Sequence, residues 1–396
     1  MPKIIRADHI GSLLRPDALL AEVHRIYDAG HTALLAEERA KDRTRLHALE
    51  DEAIRRVVAR QNELGLQVVT DGEFRRLMYF NSFFDAVDGL APSTSKLRFR
   101  GDDGSFVEHE GPVAIVGRVS KRESPAAAEA QFVSTLTDRT IKVTFPTASF
   151  LIGQASLGSG VAAYGSTEEA AEQLVAVLRD LVDDAVAAGA RYVQFDVSGY
   201  MILSGSPMGQ FVRSRGIDVD SLVAQMLEAD RRVVAGLPEG VTTCLHQCRG
   251  NYASRYLVDR DDLAELGETF FSLPYDRFTL EWDGHVERTE ADYAALERVP
   301  RGGPTVVLGV VSTRHAELES ADAIARTVDR AARHVAIEQL AISPQCGFSS
   351  ALTTGDDDRP DGNLLDEDAQ WRKLELLVTT AEKIWGREPA DRTESP

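Results

Sequence analysis

The chain has 396 residues, 43% of them hydrophobic and 27% charged, and a formal net charge of −19, which suits a globular protein whose core needs no covalent staples. Such acidity works against binding nucleic acid or an anionic membrane surface, and the arginines from Arg43 to Arg60 form no basic patch because Glu and Asp interleave with them. The opening MPKIIRADHIGSLLRP has no apolar leader, no run nears the roughly 18 apolar residues of a membrane span, and three cysteines make no disulfide framework, so a cytoplasmic protein is expected.

A first short strand is predicted to end near His9–Ile10. A long helix follows from about Glu37 to Leu64, with apolar positions at Leu46, Leu49, Ile54, Val57 and Val58, and Gly65 closes it. LQVVTD reads as strand two. An irregular excursion occupies about residues 91–120, where KLRFR, Gly104 and VAIVGRV suggest a hairpin protruding from the body. IKVTF is strand three. The next helix opens at Ser166 with Glu169 three residues on, a capping-box pattern, and closes at Gly189.

RYVQFD is strand four, VTTCLH strand five, RFTLEW strand six, TVVLGVV strand seven and QLAIS strand eight. Helices near residues 219–235, 261–271, 321–335 and 366–385 fall behind the later strands, and the Gly/Asp-rich stretch 354–363 reads as a surface loop. Strands alternating with helices imply a parallel sheet, and eight repeats favour closure. The fold class is therefore α/β: one (β/α)8 TIM-type barrel domain over residues 1–396, with a β-hairpin-like excursion after strand two.

In such a barrel the loops after the strands share one face, where active sites sit. The polar residues just past the predicted strands are Ser12, Asp71, Glu73, Asp196, His246, Cys248, Glu281, Ser312, Arg314 and Cys346. Their common placement is the argument for an enzyme. In His246-Gln247-Cys248 the outer two side chains point the same way, and an imidazole beside a thiolate suits zinc. That pair alone is a weak signal; Cys346 and Glu281 at the ends of other strands strengthen it. Cys244 shares the parity but lies one layer deeper, where a small buried residue is expected; it is the first replacement should one ligand be wrong. Asp71 reads as a cap or structural hydrogen-bond acceptor, with an orienting role as the alternative. His9, His24 and His47 have no partners at useful spacing.

Taken in order, RADHIGSLLRP, VTDGEFRR, FDVSGY, HQCRGN, LEWD and SPQCGF resemble the cobalamin-independent methionine synthase family: its C-terminal catalytic barrel and its short stand-alone relatives. The resemblance implies a Zn2+ cofactor held by His246, Cys248, Glu281 and Cys346. It implies that the amino group of homocysteine meets Glu73 and Asp196, the two catalytic-site carboxylates, and that Ser12 contacts its carboxylate. Glu281 would be the exchangeable ligand. The expected activity is zinc-dependent S-methylation of homocysteine to methionine without cobalamin in the site.

Two departures bear on this expectation. The long synthases carry an N-terminal half that helps hold a polyglutamylated folate, and this sequence has neither its counterpart nor a basic track for such a tail. The donor is thus left open among a methyltetrahydrofolate, a methylated corrinoid on a carrier protein, and another methyl compound. In STRHAELE, Arg314 and His315 compete for the place of the family's acidic histidine; Arg314 is taken as a substrate contact. An alternative reading has another thiol, such as coenzyme M, accepting an alkyl group or opening an epoxide. Arg75, Arg76, Arg249 and Arg314 are the cations it would use. Further alternatives are a non-catalytic zinc-stabilised barrel and a non-zinc barrel enzyme.

Overall fold

The computed structural model describes residues 5–93, 96–111, 113–157, 160–197, 207–214, 216–252, 254–257, 263–283, 288–352 and 363–386. Among these, seven parallel strands form one sheet, in the order β1 (Val68–Val69), β6 (Thr140–Pro146), β7 (Tyr192–Asp196), β8 (Thr242–Gln247), β9 (Arg277–Glu281), β10 (Thr305–Val311) and β11 (Leu340–Pro344). The remaining strands are β2 (Val87–Ala91), β3 (Lys96–Arg100), β4 (Phe106–Glu110) and β5 (Ala114–Lys121). β7, β9 and β11 are buried along their whole length, as strands covered on both faces must be, which is why their sequences run apolar without alternation.

The eighth staff of the ring is the segment from Ile5 to Ile10. It joins β11 through the parallel bridge of Ala7 with Ile342, where Asp8 N donates to the Ile342 carbonyl and Ile342 N to the Arg6 carbonyl, both at 2.9 Å. On its other side it meets β1 through side chains: His9 Nε2 lies 3.1 Å from the Val68 carbonyl oxygen, and Arg6 N donates to Gln67 Oε1 at 3.3 Å. The curled sheet matches a TIM-type barrel, and seven of the eight expected strands lie in it; the first, expected to end near His9–Ile10, is present only as the bridge at Ala7. Among the described residues no helix is long and apolar enough to cross a membrane.

Two expectations change. The predicted helix from Glu37 to Leu64 is two helices, Ala36–Ala40 and Thr44–Glu63. Between them Asp42 Oδ1 accepts from Thr44 N at 2.9 Å and Lys41 Nζ donates to the Ile26 carbonyl at 2.7 Å, so local side-chain bonding outcompetes the continuing helix. The excursion is two antiparallel ladders, β2 with β5 and the hairpin β3 with β4. The hairpin is tied back to the loop after β8: Arg100 N donates to the Tyr256 carbonyl at 2.8 Å, and the Arg100 carbonyl accepts from Tyr256 N at 3.0 Å. The Ser166 cap is present, accepting from Glu169 N at 3.2 Å. The loop expected at 354–363 lies outside the described residues except for Asn363.

Candidate functional site

β8 ends at Gln247, so His246 is its penultimate residue and Cys248 opens its loop; Cys346 is the second residue of the loop after β11. His246 Nδ1 lies 3.3 Å from the Thr279 carbonyl oxygen, which fixes the proton there and leaves Nε2 with its lone pair. That Nε2 is buried and makes no hydrogen bond of its own. The ligand atoms of His246, Cys248 and Cys346 lie within 4.8 Å of one another, and the two sulfurs are 3.1 Å apart.

A hydrogen bond from Cys248 and the neighbouring His246 bring the Cys346 thiol down to about 6 against the opposing effect of burial. The same bond and burial push Cys248 well up. A buried imidazole lone pair beside two convergent sulfurs is a donor set that zinc takes. Cys244 is not among them: it is fully buried deeper in the barrel, its sulfur 3.3 Å from Thr279 Oγ1.

Glu281 stands beside this trio and outside it. Its Oε1 accepts from the Arg249 backbone N–H at 2.6 Å, and its Oε2 from Arg249 Nε at 3.0 Å and Nη2 at 2.6 Å. Arg314 Nη2 lies 3.6 Å from the same Oε2 and 3.4 Å from Asp283 Oδ2. All four residues are almost completely buried.

The carboxylates Glu73 and Asp196 occupy the same mouth. Asp71 Oδ1 accepts from Glu73 N at 2.8 Å, the structural bond expected of it, and this turn holds Glu73 at φ +58°. Thr144 Oγ1 donates to Glu73 Oε1 at 2.7 Å, while a side chain at Gly11 would place its Cβ 2.7 Å from that oxygen. Asp196 Oδ1 accepts from Gln194 Nε2 at 2.7 Å. Val197, next in chain, has φ +65°, a strained backbone for a β-branched residue. Burial raises both carboxyls, Asp196 to about 7 with Glu73 adding and His246 opposing.

Ser12 Oγ is 3.2 Å from Ser350 Oγ, which in turn lies 3.8 Å from Cys346 Sγ. Gly347 is the residue that admits Ser12, since a Cβ there would overlap the hydroxyl at 2.0 Å. His315 turns away from Arg314 toward the hairpin and meets Asp102 Oδ2 at 2.8 Å. Ser198, Gly199 and Tyr200 of FDVSGY lie outside the described residues.

A family model for the catalytic domain of cobalamin-independent synthases matches residues 31–355. The chain belongs to that family. The uncharacterised protein YxjH of Bacillus subtilis strain 168 is 29% identical to this synthase-family chain, covering 96% of it and 94% of YxjH. A 5-methyltetrahydropteroyltriglutamate–homocysteine methyltransferase of Corynebacterium glutamicum strain R is 23% identical over 76% of the chain, which spans 36% of that longer protein. Among solved structures, a candidate vitamin-B12-independent methionine synthase from Listeria monocytogenes superposes with a TM-score of 0.67 at 25% identity, covering 98% of this chain and 99% of that one. A B12-independent methionine synthase from Shewanella sp. W3-18-1 gives 0.63 at 20% identity, with 96% and 97% covered.

Several residues of the synthase-family mouth were invisible to a scan of strand ends. Arg76 binds Glu129 through both arms and also donates to Thr144 Oγ1 at 2.7 Å, so it anchors the threonine that holds Glu73. Arg15 donates to the carbonyls of Glu73 and Arg76 and to Ser349 Oγ, tying three loops together. The Tyr79 hydroxyl is within electrostatic reach of Asp196, Cys248, Cys346 and Glu73, and with burial these push it well up. The only sequence signal for these was the density of arginine near RADHIGSLLRP and VTDGEFRR.

Proposed function

We propose that this chain is a zinc-dependent thiol S-methyltransferase that converts homocysteine to methionine. The observation that carries the reading is the meeting of His246, Cys248 and Cys346 from two separate strand ends in one buried group. The family membership and the homocysteine methyltransferase among its relatives support it.

His246, Cys248 and Cys346 would hold the ion. Zinc bound there would supply a substrate sulfur already stripped of its proton at neutral pH, the form in which a thiol is nucleophilic. Glu73 and Asp196 bind the ammonium group of the amino acid, and Ser12 fixes its carboxylate. With three points held, the sulfur is presented to the methyl carbon in line with the departing group, and proximity and orientation supply most of the rate. Glu73 is itself held by Thr144, Gly11 and the Asp71 turn, so the ammonium meets a carboxylate that does not reorganise.

A sulfonate thiol such as coenzyme M would need cations with charge to spare. Arg75 is bound to Asp51 at 2.5 Å, Arg76 to Glu129, Arg249 to Glu281, and Arg314 faces Asp283 and Glu281. The arrangement favours an amino-acid thiol.

The test is purified zinc protein with homocysteine and a panel of methyl donors: methyltetrahydrofolate, its polyglutamate, and a methylated corrinoid on a carrier protein. Methionine detected by mass spectrometry with any of them is the expected result. Calorimetric binding of coenzyme M and not of homocysteine would end the proposal. If no sulfur joins the zinc on adding homocysteine, as judged by K-edge absorption, a non-catalytic zinc barrel replaces it.

A further inference from the structure

The helix Thr44–Glu63 buries Leu46, Ala53, Ile54, Val57 and Val58 along one face, and Glu50 sits in the middle of that face, 4% exposed. A carboxylate in an apolar stripe is costly unless something pairs with it. Among the described residues no hydrogen bond reaches Glu50, and Arg75, Arg15 and Arg43 act on it only from beyond contact distance. Burial therefore prevails and pushes its carboxyl up to about 7.

Two more buried oxygens share this condition. Asp85, 3% exposed, accepts from Leu34 N and Asn81 Nδ2 on Oδ1, each at 2.7 Å, and among the described residues makes no hydrogen bond through Oδ2. Burial raises its carboxyl to about 7 as well. Tyr27, 4% exposed, has a hydroxyl without a hydrogen bond, pushed well up by burial, Asp85 and Glu50. Native interiors rarely leave several such groups side by side unsatisfied.

All three line one cavity of ≈ 220 Å3 between the helices Asp17–Ile26, Thr44–Glu63 and Pro125–Ser134 and the loop after β1. None of His246, Cys248, Cys346, Glu73 or Asp196 lines it. Two other carboxylates on its wall are already paired, Glu129 with Arg76 and Glu123 with Arg122.

We propose that this cavity is a second binding site, for a small molecule whose primary ammonium group is received by Glu50, Asp85 and Tyr27. An ammonium carries three donors and no acceptor, and these residues offer it three oxygens and the opposite charge. Val23, Leu46 and Phe74 supply an apolar wall for the carbon chain. The volume, roughly seven waters' share of the liquid, admits a short amine or a small amino acid and excludes a folate. Arg43 lines the same cavity and would meet the carboxylate if the ammonium belongs to an amino acid. The spacing does not suit a metal: among the described residues, His246, Cys248 and Cys346 are the group of three whose ligand atoms come close enough to share an ion.

The test is calorimetric titration of the full chain with n-butylammonium, with n-butanol as the uncharged control and L-norvaline as the amino-acid arm. Butylammonium is expected to bind once per chain with a Kd on the order of 1 mM or tighter, and butanol much more weakly. Glu50→Gln should weaken the amine by about tenfold or more and Tyr27→Phe by about threefold. Asp196→Asn, which alters the mouth of the barrel, should leave it unchanged. L-Norvaline binding that is lost in Glu50→Gln assigns the site to amino acids; binding of butylammonium alone assigns it to amines.

No binding of butylammonium, equal binding of butanol, or an unchanged affinity in Glu50→Gln overturns the proposal. So does an affinity lost in Asp196→Asn and kept in Glu50→Gln, which would put the amine in the mouth. Should Glu50→Gln fail to fold, Tyr27→Phe decides alone, and an unchanged affinity there overturns the site. None of these outcomes depends on metal, so the zinc reading stands or falls separately.

Discussion

The two ends of the barrel both bury charge, and they do so differently. At the N-terminal ends of the strands, Lys142 Nζ binds Asp8 Oδ1 at 3.0 Å, Tyr192 donates to Asp8 Oδ2 at 2.6 Å, and Arg277 Nε sits 3.5 Å from the same oxygen. These cations hold the Asp8 carboxyl well below its usual range despite burial. At the C-terminal ends the buried groups are of another kind: the His246, Cys248 and Cys346 donor atoms lie within 4.8 Å of one another, and His246 Nε2 makes no hydrogen bond. Native interiors rarely leave such atoms unpaired without a reason. One end is an ionic plug that braces the sheet; the other gathers an imidazole, two thiols and the carboxylates of Glu73 and Asp196.

That contrast can be broken at either end. The largest effect is expected for Cys346→Ser, which should lose most of its zinc and at least about a thousandfold in turnover, read by metal analysis and methionine formation. Full activity with stoichiometric metal would dissolve the distinction. At the other end, Asp8→Asn leaves Lys142 and Arg277 with their charges buried and is expected to cost about 3–5 kcal/mol in denaturant unfolding. Zinc per folded chain should stay unchanged; a loss of zinc without a loss of stability would reverse the two assignments.

Smaller effects sharpen the division inside the mouth. Glu73→Ala should weaken homocysteine binding by about 10- to 100-fold with zinc retained, the worth of one charged hydrogen bond. If zinc leaves instead, the metal and amino-acid subsites are not separate. The mildest effect is in pH. Burial raises the Asp196 carboxyl to about 7, so below that value it is neutral and offers an ammonium ion less. Homocysteine affinity should therefore rise with pH toward 7, by at most about tenfold per unit, and level above it. A flat profile by calorimetry from pH 6 to 8 would remove Asp196 from the ammonium site.

The strands were legible because parallel strands covered on both faces must be apolar runs, and IKVTF, TVVLGVV and QLAIS are such runs. The meeting of His246, Cys248 and Cys346 followed from strand ends sharing one face. What escaped was set by contacts distant in sequence. The hairpin β3–β4 reads correctly as a hairpin, yet nothing local announces that Arg100 pairs with Tyr256 or that the Phe99 ring packs tilted against Tyr252 with centroids 4.9 Å apart. Arg249 was legible as a cation near the site, but its grip on Glu281 depends on the register of β8 against β9, where Gln247 faces Leu280. The break at Lys41–Asp42 was hidden by helical periodicity that continues across it.

The bridge of Ala7 with Ile342 joins parts of the chain that leave the ribosome far apart in time. Cys346 lies four residues beyond that seam, and Ser12 five beyond its other side. Until the two arcs meet, the mouth lacks Ser12, whose hydroxyl lies 3.2 Å from Ser350 Oγ. A change at this seam would therefore reach the serine side of the mouth while leaving the meeting of His246, Cys248 and Cys346, which lie on one arc of consecutive strands, to β8 through β11.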